Sequence, residues 1–202
     1  MLIDFSHLAP RDAYAWMTAT ILPRPIAWVS TLSAAGRTNL APFSFFQGIT
    51  SSPPTLMISP VNTRDGTEKD TVRNLAQVPE FTVGLVSFAL AEKMNATAAS
   101  LPYGESESDA FGVEMAPSTQ VRPPRVLAAP VSFECRVSQV VNIGEGPFAA
   151  HVVFGRILLA HVRDEVLGAD GRPDAGKLDL VARLGGSAYA RTTDRFELKR
   201  PG

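Results

Sequence analysis

The sequence has little to offer metal or thiol chemistry. It contains one cysteine, Cys135, and three histidines in 202 residues. A lone cysteine excludes an internal disulfide framework and suits a reducing, cytoplasmic setting. No set of His, Cys and carboxylates has metal-ligand spacing, so no metal is expected. Runs of like charge are also missing. Nineteen Lys and Arg face 20 Asp and Glu, for a net charge of −1. Neither a nucleic acid nor an anionic membrane is therefore expected as a partner. The most apolar runs, such as FGRILLA at 154–160, are far shorter than the roughly 20 residues of a membrane helix. The N-terminus has acidic residues early and lacks the basic-then-apolar pattern of a signal segment. No G-x-G-x-x-G, Walker-type G-K-S/T or G-x-S-x-G occurs. The nucleotide folds and hydrolases built on those motifs lose support.

What is present is a globular composition, 45 % hydrophobic, which is too high for disorder. The length fits one domain, 1–202, with a long irregular excursion at about 101–129. Residues 10–20 read as a short amphipathic helix, stopped by the following LPRP. Residues 26–33 are rich in β-formers, and Gly36 offers a positive φ to a hairpin connection. Strands are expected at 39–50, 55–61 and 80–87, and two long ones at 130–143 and 149–162. Helices are expected at 67–76 and 89–100, with a short helical turn and a tail from Leu178. Most strands follow one another directly. That pattern predicts a mainly β fold, a barrel with attached helices, and not a doubly wound one.

Several polar groups could carry chemistry. Thr67 and Asp70 have capping-box spacing. Behind such a start, free N–H groups, Lys69 and the Thr71 hydroxyl would attract a phosphate. Asp70 would then have to turn away to cap the backbone. A bare capping box on a surface helix satisfies the same residues. Pairing strand 26–33 with 39–50 brings Ser30 and Thr31 near Asn39. Pro42 interrupts the ladder, so Ala41 and Ser44 could leave backbone groups to a ligand. An irregular edge strand explains these residues equally well. His151 opens a strand, where it could touch a ligand or serve structure. Gly186 and Tyr189, in LGGSAYART, could cover a flat ligand or form a plain turn. Cys135 lies inside a strand and reads as a packed residue.

Taken together and in order, LPRPIAWVST, TNLAPFSFF, SPPTLMIS, KDTVRNL, FTVGLVS, PPRVLAAPVSFECRV, HVVFGRIL and RLGGSAYART resemble the flavin reductase-like family of FMN-binding split barrels. The flavoredoxin-like branch is the nearest. The resemblance spans roughly 10–192. It implies a six-stranded Greek-key split β-barrel that forms a homodimer and binds FMN in a groove at the dimer interface. It implies that Ser30, Thr31, Asn39, Ala41 and Ser44 touch the flavin and its ribityl chain. Lys69, Asp70 and Thr71 would hold the phosphate. His151 would lie near the reactive face, with no catalytic residue otherwise assigned. Gly186 and Tyr189 would close over the cofactor, in keeping with a contribution from the partner subunit. The expected reaction is hydride transfer from NADH or NADPH to flavin. A non-catalytic FMN electron-transfer protein serving an electron-acceptor protein is the alternative, as is a split barrel binding another flat ligand.

Overall fold

A computed structural model describes residues 1–201. After a single 3-10 turn at Phe5–His7 comes α1 (Pro10–Thr20), whose first residue is a proline, pre-set for a helix start. A two-residue strand, β1 (Arg24–Pro25), leads into the barrel strands β2 (Ala27–Leu32), β3 (Thr38–Phe43), β4 (Phe46–Ser51) and β5 (Pro54–Ile58). Next come α2 (Asp70–Gln77), β6 (Glu80–Leu85) and α3 (Ala91–Ala96). The 101–129 excursion carries α4 (Glu107–Ala110) and the paired β7 (Met115–Ala116) and β8 (Arg125–Val126). The long strands β9 (Val131–Ile143) and β10 (Ala150–Val162) pair along almost their whole length. The end holds α5 (Ala175–Leu178), β11 (Val181–Arg183) and β12 (Tyr189–Arg191). The helical turn therefore ends at Leu178, and the chain beyond it makes strands. β11 pairs with both β1 and β12, so the C-terminal segment is tied to the N-terminal one.

Seven strands form the main sheet, in the order β3-β2-β6-β9-β10-β5-β4, and every neighbouring pair is antiparallel. The sequence predicted six. The extra strand arises because 39–50 bends at Ser44 and Phe45 and serves as two strands. This bend also closes the fold. β3 and β4 lie at opposite edges of the sheet, yet only two residues separate them along the chain. The sheet must curl until its edges meet, which is a barrel.

Alternation along the strands sorts the side chains into two cores. Ala27, Val29, Phe43, Phe46, Leu56, Ile58, Phe81, Val83, Cys135 and Val153 fill the interior, and Leu75 of α2 plugs one end. Outside, Trp28, Leu40, Val86, Met94, Val113 and Val126 form a second core beneath α3 and the excursion. The Trp28 indole N–H donates to Thr97 Oγ1 at 2.9 Å, fastening α3 to β2. Two glycines act as predicted by backbone rules. Gly36 turns the β2–β3 hairpin with φ +76°. Gly155 leaves room for the Phe81 ring, since a Cβ there would lie 2.3 Å from Phe81 Cζ.

Candidate functional site

Where the barrel bends at Ser44 and Phe45, a cleft of about 890 Å³ opens between β3, the start of α2 and the loop after α3. Small-molecule sites typically span about 300–1,000 Å³. One wall is apolar, built from Tyr14, Pro42, Phe43 and Phe45. The Tyr14 and Phe45 ring centroids lie 6.3 Å apart.

The opposite end is polar, and its chemistry starts at α2. Lys69 is the N-cap of this helix, and no side chain caps it. The expected capping box does not form. Asp65 takes the Thr67 N–H at 3.0 Å and the Thr63 hydroxyl, closing a tight turn before the helix. The Thr63 hydroxyl bond leads the causes that pull the Asp65 carboxyl down to about 2. Asp70, freed from capping, pairs with Arg73 one turn on at 3.6 Å. Burial pushes its carboxyl above the ordinary range, against the pull of Arg73 and Lys69. A helix start without a side-chain cap presents N–H groups and a partial positive charge. Here it does so inside a cleft, with Lys69 and the Thr71 hydroxyl beside it.

Behind that start lies a buried polar chain. Asn39 donates from Nδ2 to Thr31 Oγ1 at 3.3 Å and to Thr71 Oγ1 at 3.1 Å. Asn74 Nδ2 also donates to Thr31 Oγ1, at 3.1 Å. The Tyr103 hydroxyl donates to Asn74 Oδ1 at 3.3 Å, and the Arg73 guanidinium lies 3.7 Å from the Tyr103 ring centroid. Among the described residues, Asn39 Oδ1 takes no hydrogen bond and is not sealed away. The network thus fixes Asn39 and leaves it one acceptor on the cleft side. The Thr71 hydroxyl accepts from Asn39, so its own proton is unspent.

Of the residues singled out in the sequence, Asn39, Ala41, Ser44, Lys69, Asp70 and Thr71 line this one cleft. Ser30 and Thr31 do not. Neighbours on a strand point to opposite faces. Thr31 lies one layer back, supporting Asn39 and Asn74. Ser30 shares the Trp28 face, and its hydroxyl is buried without a partner. Ala41 is set opposite Val29. The Leu40 N–H points away from β2 to Glu107, so by alternation Leu40, Pro42 and Ser44 present the free backbone edge, and Ala41 does not. His151 is buried outside the cleft wall, between Asn142 (Nδ1, 3.0 Å) and Asn62 (Nε2, 2.8 Å). Gly186 and Tyr189 are also absent from this wall. Tyr189 donates to Asn95 Oδ1 at 3.0 Å and stacks on Arg183. Cys135 is packed in the barrel interior, and burial drives its thiol well above the ordinary range.

Sequence reasoning missed four contributors. Arg24 is buried and donates to Thr18 O, Ile21 O and Leu184 O at 2.8–2.9 Å, and to Ser44 Oγ at 3.4 Å. It ties α1, the C-terminal sheet and the barrel bend together. Arg73, Tyr103 and Glu107 complete the cleft. Arg73 lies past the middle of the expected helix with no signal of its own. The contacts of Arg24 with Leu184 and Ser44, of Tyr103 with Asn74 and of Glu107 with Leu40 join residues far apart in the chain.

The flavin reductase like domain profile matches residues 17–181. The chain belongs to the flavin reductase-like family. Among solved structures, nitrilotriacetate monooxygenase component B from Bacillus cereus superposes with a TM-score of 0.92 at 32 % identity, covering 98 % of each chain. The 2-nitrobenzoate 2-nitroreductase of Pseudomonas fluorescens gives 0.87 at 31 %, covering 100 % of this chain and 96 % of that one. Flavoredoxin of Desulfovibrio vulgaris, at 21 % identity and a TM-score of 0.74, shares the fold over 98 % of this chain and 97 % of its own. The flavin reductase-like barrel is thus a split barrel of the kind the sequence resembled. No helix among the described residues is long and apolar enough to cross a membrane.

Proposed function

We propose that the cleft binds FMN and that the chain is an NAD(P)H-dependent flavin reductase. The observation that carries this reading is the start of α2, which opens into the cleft with Lys69 as N-cap and no capping side chain. These groups fit a phosphate: free N–H donors, one ammonium and one hydroxyl. The apolar wall of Tyr14, Pro42 and Phe45 fits a flat ring system. Asn39 Oδ1 and Ser44 lie between the two ends and fit the hydroxyls of a ribityl chain.

Bound FMN would supply the hydride acceptor for the nicotinamide. The protein's own work is to bind, orient and exclude water. Arg24 holds Ser44 at the bend, and Thr31 with Thr71 holds Asn39 in a single orientation. No acid or base is needed for a direct hydride transfer, in keeping with a cleft that lacks His and Cys.

The homodimer belongs to the same proposal. Ile49, Val140, Val141, Ile143 and Phe148 are large, apolar and exposed on β4 and the β9–β10 hairpin, as an interface between copies would require. Gly186 and Tyr189, absent from this chain's own cleft wall, would then close over the partner's cofactor. A single domain spanning 1–202, in the cytoplasm, fits the lone buried thiol.

Titration with FMN, followed by visible absorbance and flavin fluorescence, tests the binding reading. Oxidation of NADH and of NADPH, with and without added FMN, tests the reductase reading. A chain that binds FMN tightly yet oxidises neither nicotinamide is an electron-transfer flavoprotein serving a protein acceptor. A chain that never takes up FMN binds some other flat ligand.

A further inference from the structure

The cleft contains a group that the reading above does not use. Glu107 is only 6 % exposed and lines the cleft next to Asn39 and Asp70. Its Oε2 accepts the Leu40 N–H at 2.8 Å, taking a donor from the open edge of β3. Its Oε1 accepts nothing from another described residue and is not sealed from solvent. The residue's own backbone N–H also reaches the carboxyl, and beyond it Leu40 is the one partner that ties the group to the fold, which leaves acceptor capacity beside the ligand space.

Arg64, Asp65, Glu68 and Arg73 also line the cleft, but the charges that act on Glu107 are two. From α2 come Asp70, which repels a second negative charge, and Lys69, which attracts one. β3 carries no charged residue, and Asp109 is the one other acid on α4. Burial is the largest influence, and it raises the Glu107 carboxyl above its ordinary range. A phosphate arriving at Lys69 would add negative charge beside two carboxylates, neither of which can leave.

Resting on the FMN reading, we propose that Glu107 couples entry of an anionic ligand to uptake of one proton from solvent. In the free protein, at pH above its raised folded-state value, Glu107 is ionised. With the phosphate seated, its Oε1 takes a proton and changes from a repelling acceptor into a hydrogen-bond donor toward the ligand. Oε2 keeps the Leu40 N–H throughout, so the tie between α4 and β3 survives the switch. Affinity for a phosphorylated flavin then falls as pH rises.

The test uses FMN and measures dissociation constants from pH 5 to pH 8 for the wild-type chain and Glu107→Gln. The carbonyl of Gln can still accept the Leu40 N–H, while its amide is neutral at every pH. The two proteins should bind FMN alike at pH 5, with the variant about tenfold tighter at pH 8, as expected for one linked proton shifted by one pH unit. The flavin phosphate titrates equally in both arms and cancels from the ratio. A ratio that does not change with pH overturns the proposal. A second measurement needs no variant. The carboxyl-carbon NMR titration of Glu107 in the wild-type chain should move to higher pH when FMN is added, and an unmoved midpoint overturns the coupling. Failure of the wild-type chain to bind FMN at any pH is a different result: it removes the FMN reading, and the coupling with it.

Discussion

Glu134 and Glu107 are both buried carboxylates, and both help attach the 101–129 excursion to the barrel, yet their surroundings differ in kind. Glu134, on β9, is completely buried. It accepts the backbone N–H groups of Thr119 (2.7 Å), Gln120 (2.5 Å) and Val121 (3.2 Å), and it meets His161 Nε2 at 2.5 Å. Burial alone would raise its carboxyl. The His161 bond and the backbone donors outweigh burial and hold it below the ordinary range. Every lone pair has a partner, so nothing is left for a ligand. Glu107 takes the Leu40 N–H and its own backbone N–H, with no side-chain partner, and burial keeps its carboxyl high. A saturated buried charge is a structural rivet, whereas a half-saturated one beside a cleft is available for binding.

The comparison can be broken most sharply at Glu134. Glu134→Ala should destabilise the fold by about 3–5 kcal/mol, the cost of removing one partner from a buried, hydrogen-bonded charge. Denaturant unfolding measures this, and FMN affinity per folded molecule should stay unchanged. A loss below about 1 kcal/mol would mean that the excursion holds itself in place.

Next in size is the cleft's cation. Lys69→Ala should weaken FMN binding by about 1–3 kcal/mol, the range for a charge-assisted contact, with little change in stability. Equilibrium titration reads the first effect and thermal unfolding the second.

The pH dependence of stability separates the two carboxylates by sign. The folded-state pKa of Glu134 is lowered, so its contribution is present above the unfolded carboxylate value and is lost as pH falls through the folded one. The folded-state pKa of Glu107 is raised, so its contribution is full below the unfolded value and is lost as pH rises through the folded one. Glu134→Gln should therefore flatten the acid side of the stability curve, and Glu107→Gln the side above the ordinary carboxylate range. Unfolding midpoints from pH 3 to pH 8 check both. Matching curves for the two variants would erase the distinction. The smallest effect is expected for Thr71→Ala, which should cost less FMN affinity than Lys69→Ala because it removes one neutral donor and the Asn39 contact.

Much of the fold was legible from local patterns. α1 begins at its proline and ends before LPRP, and the two long strands follow from β-rich runs around GEGPF. The 39–50 segment was harder. Its residues suit a strand throughout, and only the closure of the barrel forces the bend at Ser44 and Phe45. The site divides along the same line. The place of Lys69 and Thr71 at the start of α2 could be read because a helix start is a local event. The capping box failed locally as well, since Asp65 competes for the Thr67 N–H two residues away. Glu107 was invisible because its partner, Leu40, lies 67 positions earlier in the chain. Ser30 and Thr31 fall behind the cleft because long-range packing buries both, Ser30 on the Trp28 face and Thr31 beneath Asn39 and Asn74.

In the proposed function the start of α2 grips a phosphate. Its most direct test compares the dissociation constants of FMN and riboflavin, which differ only by that group, in the wild-type chain and in Lys69→Ala. The wild-type chain should prefer FMN by about tenfold or more, and Lys69→Ala should remove most of this preference, in line with the worth of a charge-assisted contact. Equal affinity of the wild-type chain for the two flavins would contradict it.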